Sequence, residues 1–279
     1  MNKWLVYVLI FAAGFVFVSL WSFWIVIHPP KIIIGRTPPD VGLEAQDVTI
    51  TAPDGTKLSA WYIPSATLKK AIVLLHGYPA EKSDMLLIAK NLYPDFSLLL
   101  LDLRYFGESD GMYTTLGVKE RGDVKATLDF LESKGHTKIG MFGFSLGGAL
   151  SLVTAAEDER VGAVASYGSF ADIRKLGWET YRHLWILKYP LVELMIFWSK
   201  ISFGTSVTEV SPLSAAKEIT VPTLIIHSKD DEQIAFSHAE LLQGALNEDI
   251  SEFYFVRGLH GHLPLDFNNK VLDFFRRSL

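Results

Sequence analysis

The sequence of 279 residues contains no cysteine. This absence excludes disulfides, thiolate metal ligands and a cysteine nucleophile, and it leaves the cellular compartment open because oxidising and reducing locations both allow it. A basic surplus is also missing, since 26 lysines and arginines stand against 31 aspartates and glutamates. Proteins bind a phosphate backbone through a basic surface, so nucleic acid is not an expected partner.

Patterns typical of metal sites or of disordered chains are missing as well. The sequence has no HExxH or comparable spacing of histidine and carboxylate residues, so we expect no catalytic metal and no other cofactor. Hydrophobic residues make up 49% of the chain and aromatic residues 13%. A chain of this length and composition can bury a large core and is not expected to be disordered.

Charge is absent from residues 4–27, WLVYVLIFAAGFVFVSLWSFWIVI, and Pro29 and Pro30 follow this run. A helix of about 20 apolar residues crosses the hydrocarbon layer of a bilayer. Aromatic rings stand near both ends of the run, as they do at membrane interfaces: Trp4, Tyr7, Trp21 and Trp24. A cleaved signal peptide is the competing interpretation, but its apolar region is usually shorter and small residues follow it. The sequence therefore predicts a retained single-pass membrane anchor over residues 1–30, with its orientation left open by nearly even flanking charges.

The remainder of the chain divides into a predicted linker, residues 31–45, and one domain, residues 46–279. The segment DVTITAPDGTKLSAWYI alternates polar and apolar residues on both sides of PDG, which predicts an antiparallel hairpin. Further on, short apolar strands alternate with segments of helical periodicity. This alternation predicts an α/β fold with a mostly parallel sheet and helices on both faces.

An insertion at about residues 169–220 is rich in bulky apolar residues, as in LGWETYRHLWILKYPLVELMIFWSKISF. Charged residues and a proline interrupt it, which argues against a second membrane span. We expect paired helices that form a cap over a site, and such a cap implies an apolar acyl or lipid-like substrate. Ordinary core packing and a surface resting on the bilayer are the alternatives.

The segment GFSLGG, residues 143–148, lies where a predicted strand ends and a helix begins. Ligands bind at the carboxyl ends of parallel strands, so Ser145 is presented at the expected mouth of a site. Gly143 and Gly147 would let the strand and the helix approach closely around it. We therefore predict Ser145 as a nucleophile, with a glycine-rich turn that merely packs as the alternative.

A serine nucleophile needs a histidine to remove its proton and an acid to orient that histidine. Of the eight histidines, His260 and His262 lie in the loop after the last predicted strand. The segment HSKDDE supplies three neighbouring acids, and Asp231 and Asp230 are the two that we weigh. At this level both pairs of alternatives stay open.

Several motifs in order make the chain resemble the α/β-hydrolase superfamily over residues 46–279. They are LLHGYP, LDLRYFGESDG, GFSLGG, VPTLIIHSKDDEQI and VRGLHGHLP. The resemblance implies the chain order serine, acid, histidine and selects Asp231 and His260 as partners of Ser145. It further implies that the backbone amides of Tyr78 and Leu146 form an oxyanion hole. In the resemblance Asp102 and Arg104 belong to a structural loop, so we leave them outside the catalytic set.

The function expected from these features is a membrane-anchored serine hydrolase of esterase, lipase or thioesterase type. It would cleave carboxylic ester or thioester bonds of an apolar acyl substrate through an acyl-enzyme. The layout of anchor and domain resembles membrane-associated acyl-protein thioesterases and their bacterial relatives. A serine peptidase on the same triad and a noncatalytic membrane-bound binding protein are the alternatives, and the sequence leaves the oligomeric state open.

Overall fold

The computed structural model describes residues 2–65 and 69–279, in which eight strands form one sheet covered by helices. The strands are β1 (Gln46–Thr51), β2 (Lys57–Ile63), β3 (Lys70–Leu75), β4 (Ser97–Leu101), β5 (Lys138–Phe144), β6 (Val161–Tyr167), β7 (Thr223–Ser228) and β8 (Ser251–Val256). The α-helices are α1 (Lys3–Ile27), α2 (Leu86–Leu92), α3 (Glu120–Ser133), α4 (Leu146–Glu157), α5 (Ile173–Thr180), α6 (Lys188–Phe203), α7 (Pro212–Ala216), α8 (Ser237–Gln243) and α9 (Phe267–Ser278).

The strand order is β1-β2-β4-β3-β5-β6-β7-β8. The predicted hairpin is confirmed, since β1 pairs antiparallel with β2, and β2 pairs antiparallel with β4. All other neighbouring strands are parallel. The predicted fold class is therefore confirmed, and the carboxyl ends of six strands meet at one edge of the sheet.

Both faces of the sheet are buried because successive side chains of a strand point to opposite sides. In β3, Val73 packs in one hydrophobic cluster with residues of α3 and α4, while Ile72 and Leu74 pack in a second cluster with residues of α2 and α9. Burial of one such side chain contributes about 1.5–3 kcal/mol relative to leaving it exposed. This two-sided burial explains why the central strands read as continuous apolar runs.

The apolar run at the N-terminus forms α1, which is long and apolar enough to cross a membrane. Most of its side chains are exposed, but Ser19, Phe23 and Ile27 are buried. These three residues lie one helical turn apart and so share one face. That face of α1 packs against α6.

The predicted linker, residues 31–45, has no regular structure until a single 3₁₀ turn at Pro38–Val41. Its backbone still contacts the domain, because the amide of Ile34 donates to the Glu81 carboxylate over 2.6 Å. The insertion predicted at residues 169–220 forms α5, α6 and α7 between β6 and β7. Helices α5 and α6 pack on each other, as expected for a helical cap.

Candidate active site

A one-residue turn joins β5 to α4, and Ser145 is that residue. Its φ of 52° and ψ of −113° lie where residues other than glycine are strained. The Ser145 amide donates to the Tyr167 carbonyl over 2.8 Å, and its carbonyl accepts from the Ala149 amide over 3.0 Å. The surrounding backbone therefore holds the strained serine from both sides.

The glycines around the serine allow the close approach that the sequence predicts. A Cβ atom at Gly143 would lie 2.1 Å from the Gly147 carbonyl oxygen. A Cβ atom at Gly147 would lie 2.4 Å from the Leu75 carbonyl oxygen. Real Cβ atoms do not reach such distances, so the turn can form only without side chains at these two positions.

The Asp231 carboxylate lies three residues beyond β7 and is almost fully buried. Its Oδ1 atom accepts hydrogen bonds from the amides of Gln233 at 2.9 Å and Ile234 at 2.8 Å. Its Oδ2 atom lies 2.7 Å from Nδ1 of His260, which donates to it. Burial alone would raise the pKa of Asp231, but the hydrogen bonds from His260 and the two amides hold this pKa below its usual range.

The His260 imidazole lies beside the serine turn. It packs against Phe144, the residue before Ser145, with ring centroids 4.8 Å apart and the ring planes tilted by 35°. Its Cε1 atom also lies 3.1 Å from where a Cβ atom of Gly168 would stand. Because Nδ1 donates to Asp231, Nε2 is the nitrogen left to accept a proton.

The two alternatives from the sequence lie apart from this pair. The His262 side chain is exposed, while its backbone carbonyl accepts from the Tyr167 hydroxyl over 2.6 Å and its backbone amide donates to the Leu259 carbonyl over 3.0 Å. The Asp230 carboxylate is 46% exposed and pairs with the exposed Arg257 at 3.2 Å. The structure thus brings Asp231 and His260 together and leaves Asp230 and His262 outside.

The third acid of the HSKDDE segment has a contact that sequence reasoning missed. The Glu232 carboxylate accepts the His260 amide over 2.9 Å, so it fixes the backbone of the histidine loop. It also lines the cavity in front of the serine. The sequence does not predict this contact, because nothing in the pattern of three adjacent acidic residues distinguishes the one that binds the His260 backbone.

The predicted oxyanion residues, Tyr78 and Leu146, both line this cavity together with Ser145. Among the described residues, no group accepts a hydrogen bond from the backbone amide of either one. Leu146 is the first residue of α4, where the helix end carries partial positive charge. Gly77 brings the other loop close, since a Cβ atom there would lie 3.1 Å from Cβ of Ser145.

The cavity in front of Ser145 has a volume of about 500 Å³. Its walls come from the loop after β7, from the cap helices α5 and α6, and from α1. The apolar side chains that α1, α5 and α6 contribute to its lining are Phe23, Val26, Ile173, Leu176, Val192, Met195 and Ile196. The sequence predicts the cap residues as a cover but gives no signal for the two residues of α1, because they stand in a run that is apolar throughout.

Comparison with known proteins agrees with this fold. A family model described as the alpha/beta hydrolase fold matches residues 70–185. A solved structure of the esterase Pf2001 of Pyrococcus furiosus superposes with a TM-score of 0.74 at 24% identity, covering 91% of this chain and 98% of that one. The chain has the α/β-hydrolase fold. The matched range contains both Ser145 and the loop of Tyr78.

Other similar proteins cover most of the length of this chain. Protein YfhR of Salmonella typhi is 26% identical over 271 residues, which are 90% of this chain and 87% of the relative. Protein YqkD of Bacillus subtilis is 27% identical over 207 residues, covering 72% of this chain and 68% of the relative. An acylaminoacyl peptidase structure from Pyrococcus horikoshii has a TM-score of 0.65 at 20% identity, with 85% and 42% covered.

The chain also has a buried charged cluster that does not line the cavity. Asp102 accepts hydrogen bonds from the Lys82 amide at 2.7 Å, the Lys82 ammonium at 2.6 Å and the Glu108 amide at 3.0 Å. Arg104 pairs with the buried Asp123 carboxylate. Within the described residues, no group of three or more histidine, aspartate or glutamate side chains is arranged to hold a metal ion.

Proposed function

We propose that this α/β-hydrolase is a membrane-anchored serine hydrolase that cleaves carboxylic ester or thioester bonds of an apolar acyl substrate. The observation that carries the proposal is the buried Asp231–His260 pair beside a strained Ser145 that faces an apolar cavity. The α/β-hydrolase fold supports a hydrolase, and the serine chemistry and the substrate class are inferred from the site.

In the proposed mechanism the Ser145 hydroxyl attacks the acyl carbon while Nε2 of His260 accepts its proton. The resulting imidazolium is stabilised by the carboxylate of Asp231, which also fixes the tautomer through Nδ1. The proton then passes to the leaving alcohol or thiol, and the acyl group remains on Ser145. Water, deprotonated by His260, releases the acid and restores the serine.

The tetrahedral intermediate carries negative charge on the former carbonyl oxygen. In the proposal the free backbone amides of Tyr78 and Leu146 donate to this oxygen, and the N-terminal end of α4 adds favourable potential. Loss of one such donor typically costs about 3 kcal/mol of transition-state stabilisation. Because the donors are backbone groups, changes of these two side chains alone are expected to affect the oxyanion hole little.

The apolar acyl class is inferred from the cavity lining and from the helical cap. Aliphatic and aromatic side chains of α5, α6 and α1 surround the space, and a fully buried methylene group gains about 0.8 kcal/mol there. Membrane anchoring is inferred from α1, whose 25 residues exceed the length needed to cross the hydrocarbon layer. An anchored enzyme would meet amphiphilic acyl substrates at the membrane surface.

The test uses the full chain in detergent micelles with p-nitrophenyl esters of increasing acyl length and a fluorophosphonate probe. Ser145→Ala is expected to abolish labelling and to lower kcat by a factor of about 10⁴ or more. Ser133→Ala, at an exposed position of α3, is the matched control and should change neither readout. Labelling without cleavage of any ester would favour a peptidase on the same triad. A folded chain that neither labels nor cleaves would favour a noncatalytic binding protein.

A further inference from the structure

The C-terminal third of α1, residues 19–27, is packed into the hydrolase domain. We name this segment the α1 base. Its Ser19 hydroxyl is fully buried and accepts a hydrogen bond from the Trp198 indole of α6 over 3.0 Å. The Phe23 ring lies 5.8 Å from the ring of Phe203, at the other end of the same contact. The helix is therefore held against α6 of the cap by a hydrogen bond and by aromatic packing.

The α1 base also contacts the loops at the carboxyl edge of the sheet. The Val26 carbonyl accepts the Tyr78 hydroxyl over 2.8 Å, and the Ile27 carbonyl accepts the Thr114 amide over 3.1 Å. Carbonyls in the last turn of a helix have no partner within the helix. Here the hydrolase domain supplies these partners, and one of them is the side chain of a predicted oxyanion residue.

Two side chains of the α1 base form part of the cavity that contains Ser145. Phe23 is 5% exposed and Val26 is half-buried, and both line this cavity opposite residues of the cap. The outer part of the helix differs, since Phe17 is 66% exposed and Val18 is 48% exposed. The outer part of the helix thus exposes apolar side chains suited to contact with lipid, whereas the α1 base packs against the domain.

Anchoring alone does not require this arrangement. A tether needs only a hydrophobic span and a flexible connection, whereas here the last turns of the helix themselves pack against α6 before residues 31–45 lead to β1. The Ser19 hydroxyl also donates to the Val16 carbonyl of its own helix over 2.7 Å, so its hydrogen bond with the Trp198 indole is an additional polar contact that joins α1 to α6. A hydrogen bond between α1 and α6 is expected where the position of α1 relative to the domain must be fixed.

We propose that the α1 base is a wall of the acyl-binding pocket and that Phe23 and Val26 determine which acyl chains fit. The inference rests on the proposed function, because it assumes that the cavity holds the acyl group. Its consequence is that the pocket is complete only when α1 is attached. The substrate class is narrowed to acyl chains that fill a space between the candidate membrane span and the cap.

The first experiment compares Phe23→Ala and Val26→Ala with Phe17→Ala and Val18→Ala in the full chain, all in the same detergent. Enlarging the pocket should move the preferred p-nitrophenyl ester to an acyl chain longer by at least two carbons. For a short-chain ester kcat/KM should fall about tenfold, since each lost methylene contact changes discrimination by roughly 10-fold or more. Phe23→Trp should shift the preference toward shorter chains. The two controls on the outer part of the helix should keep the chain-length profile of the unmodified protein.

A second measurement separates failure of this inference from failure of the proposed function. In the Ser145→Ala background, binding of a fluorescent fatty acid is titrated with and without Phe23→Ala. The Kd should rise at least about threefold with this change and stay constant with Phe17→Ala, whether or not the protein cleaves esters. Equal Kd values for both variants, together with an unchanged chain-length profile, would overturn the proposal. If Phe23→Ala lowers the unfolding temperature below that of the assay, Phe23→Leu, which keeps an apolar side chain, takes its place in both experiments.

Discussion

Two buried aspartates at the same edge of the sheet illustrate how similar surroundings can lead to different roles. Asp102 directly follows β4, and Asp231 follows β7; their side chains are 0% and 1% exposed. Each accepts two backbone amides and one charged or titratable side chain. For Asp102 that side chain is the Lys82 ammonium, and for Asp231 it is the His260 imidazole.

The difference between the two clusters lies in the partner. Burial would lower the pKa of Lys82, but Asp102 and Glu108 raise it, so the ammonium stays charged throughout the physiological range. The His260 imidazole, in contrast, has a second ring nitrogen, Nε2, which is not bonded to the aspartate and can accept a proton. Burial and hydrogen bonding alone therefore do not indicate catalysis; a partner able to exchange a proton beside a nucleophile does.

The largest expected effect comes from removing the charge of Asp231. Asp231→Asn should lower kcat on p-nitrophenyl esters by a factor of about 10⁴, because an amide can neither stabilise the imidazolium nor enforce its tautomer. Asp230→Asn is the matched control, and its exposed pair with Arg257 should be worth at most about 1 kcal/mol. Loss of activity in the control with full activity in Asp231→Asn would reverse the assignment of the acid.

The second effect concerns stability and tests the other aspartate. Lys82→Met removes a side chain that is 1% exposed and leaves the Asp102 carboxylate buried without its cation. The free energy of unfolding should fall by about 3–5 kcal/mol, measured by urea denaturation with tryptophan fluorescence. Activity per folded molecule should stay unchanged.

Glu108→Gln is the control for this substitution. The Glu108 side chain is 71% exposed, and its loss leaves the Lys82–Asp102 pair in place, so a change within about 1 kcal/mol is expected. A folded Lys82→Met variant of normal stability but low activity would instead connect this cluster to the chemistry.

The smallest expected effect is a pH dependence of the free energy of unfolding that is caused by Asp231. Its pKa is lower in the folded protein than in the unfolded chain, so its ionised form stabilises the fold above about pH 4. This stabilisation is lost as the pH falls through the folded pKa. The gap in unfolding free energy between the unmodified protein and Asp231→Asn should therefore narrow between pH 6 and pH 3. A gap that is constant over this range would mean that Asp231 has an ordinary pKa.

The turn around Ser145 could be predicted from sequence because its demands are local. Two glycines, an apolar strand and a helix within a few residues specify a strained serine turn, and the structure has that turn. The distinction between Asp231 and Asp230 is not local, since neighbouring residues share composition and only the fold decides which one turns inward. Resemblance to the superfamily pointed to Asp231, and its catalytic role stays a prediction.

Two other features of the structure could not be predicted from the sequence. The burial of Lys82 depends on Asp102, which a strand and a helix separate from it along the chain. The inward face of α1 is hidden because periodicity cannot distinguish lipid-facing from protein-facing positions in a uniformly apolar helix. Ser19 is the polar exception in that face, but serine is also common where membrane helices pack together.

The packing of the α1 base against the domain has a consequence for the distance between the bilayer and the candidate active site. From Lys3 to Phe23 a helix rises about 30 Å, which equals the thickness of the hydrocarbon layer. If the helix crosses the bilayer as proposed, Phe23 lies where the hydrocarbon ends, and the reaction takes place at a fixed height just above it. The domain then keeps a fixed position relative to the membrane and does not reach substrates far from it. Its substrates must present their acyl bond at the membrane surface.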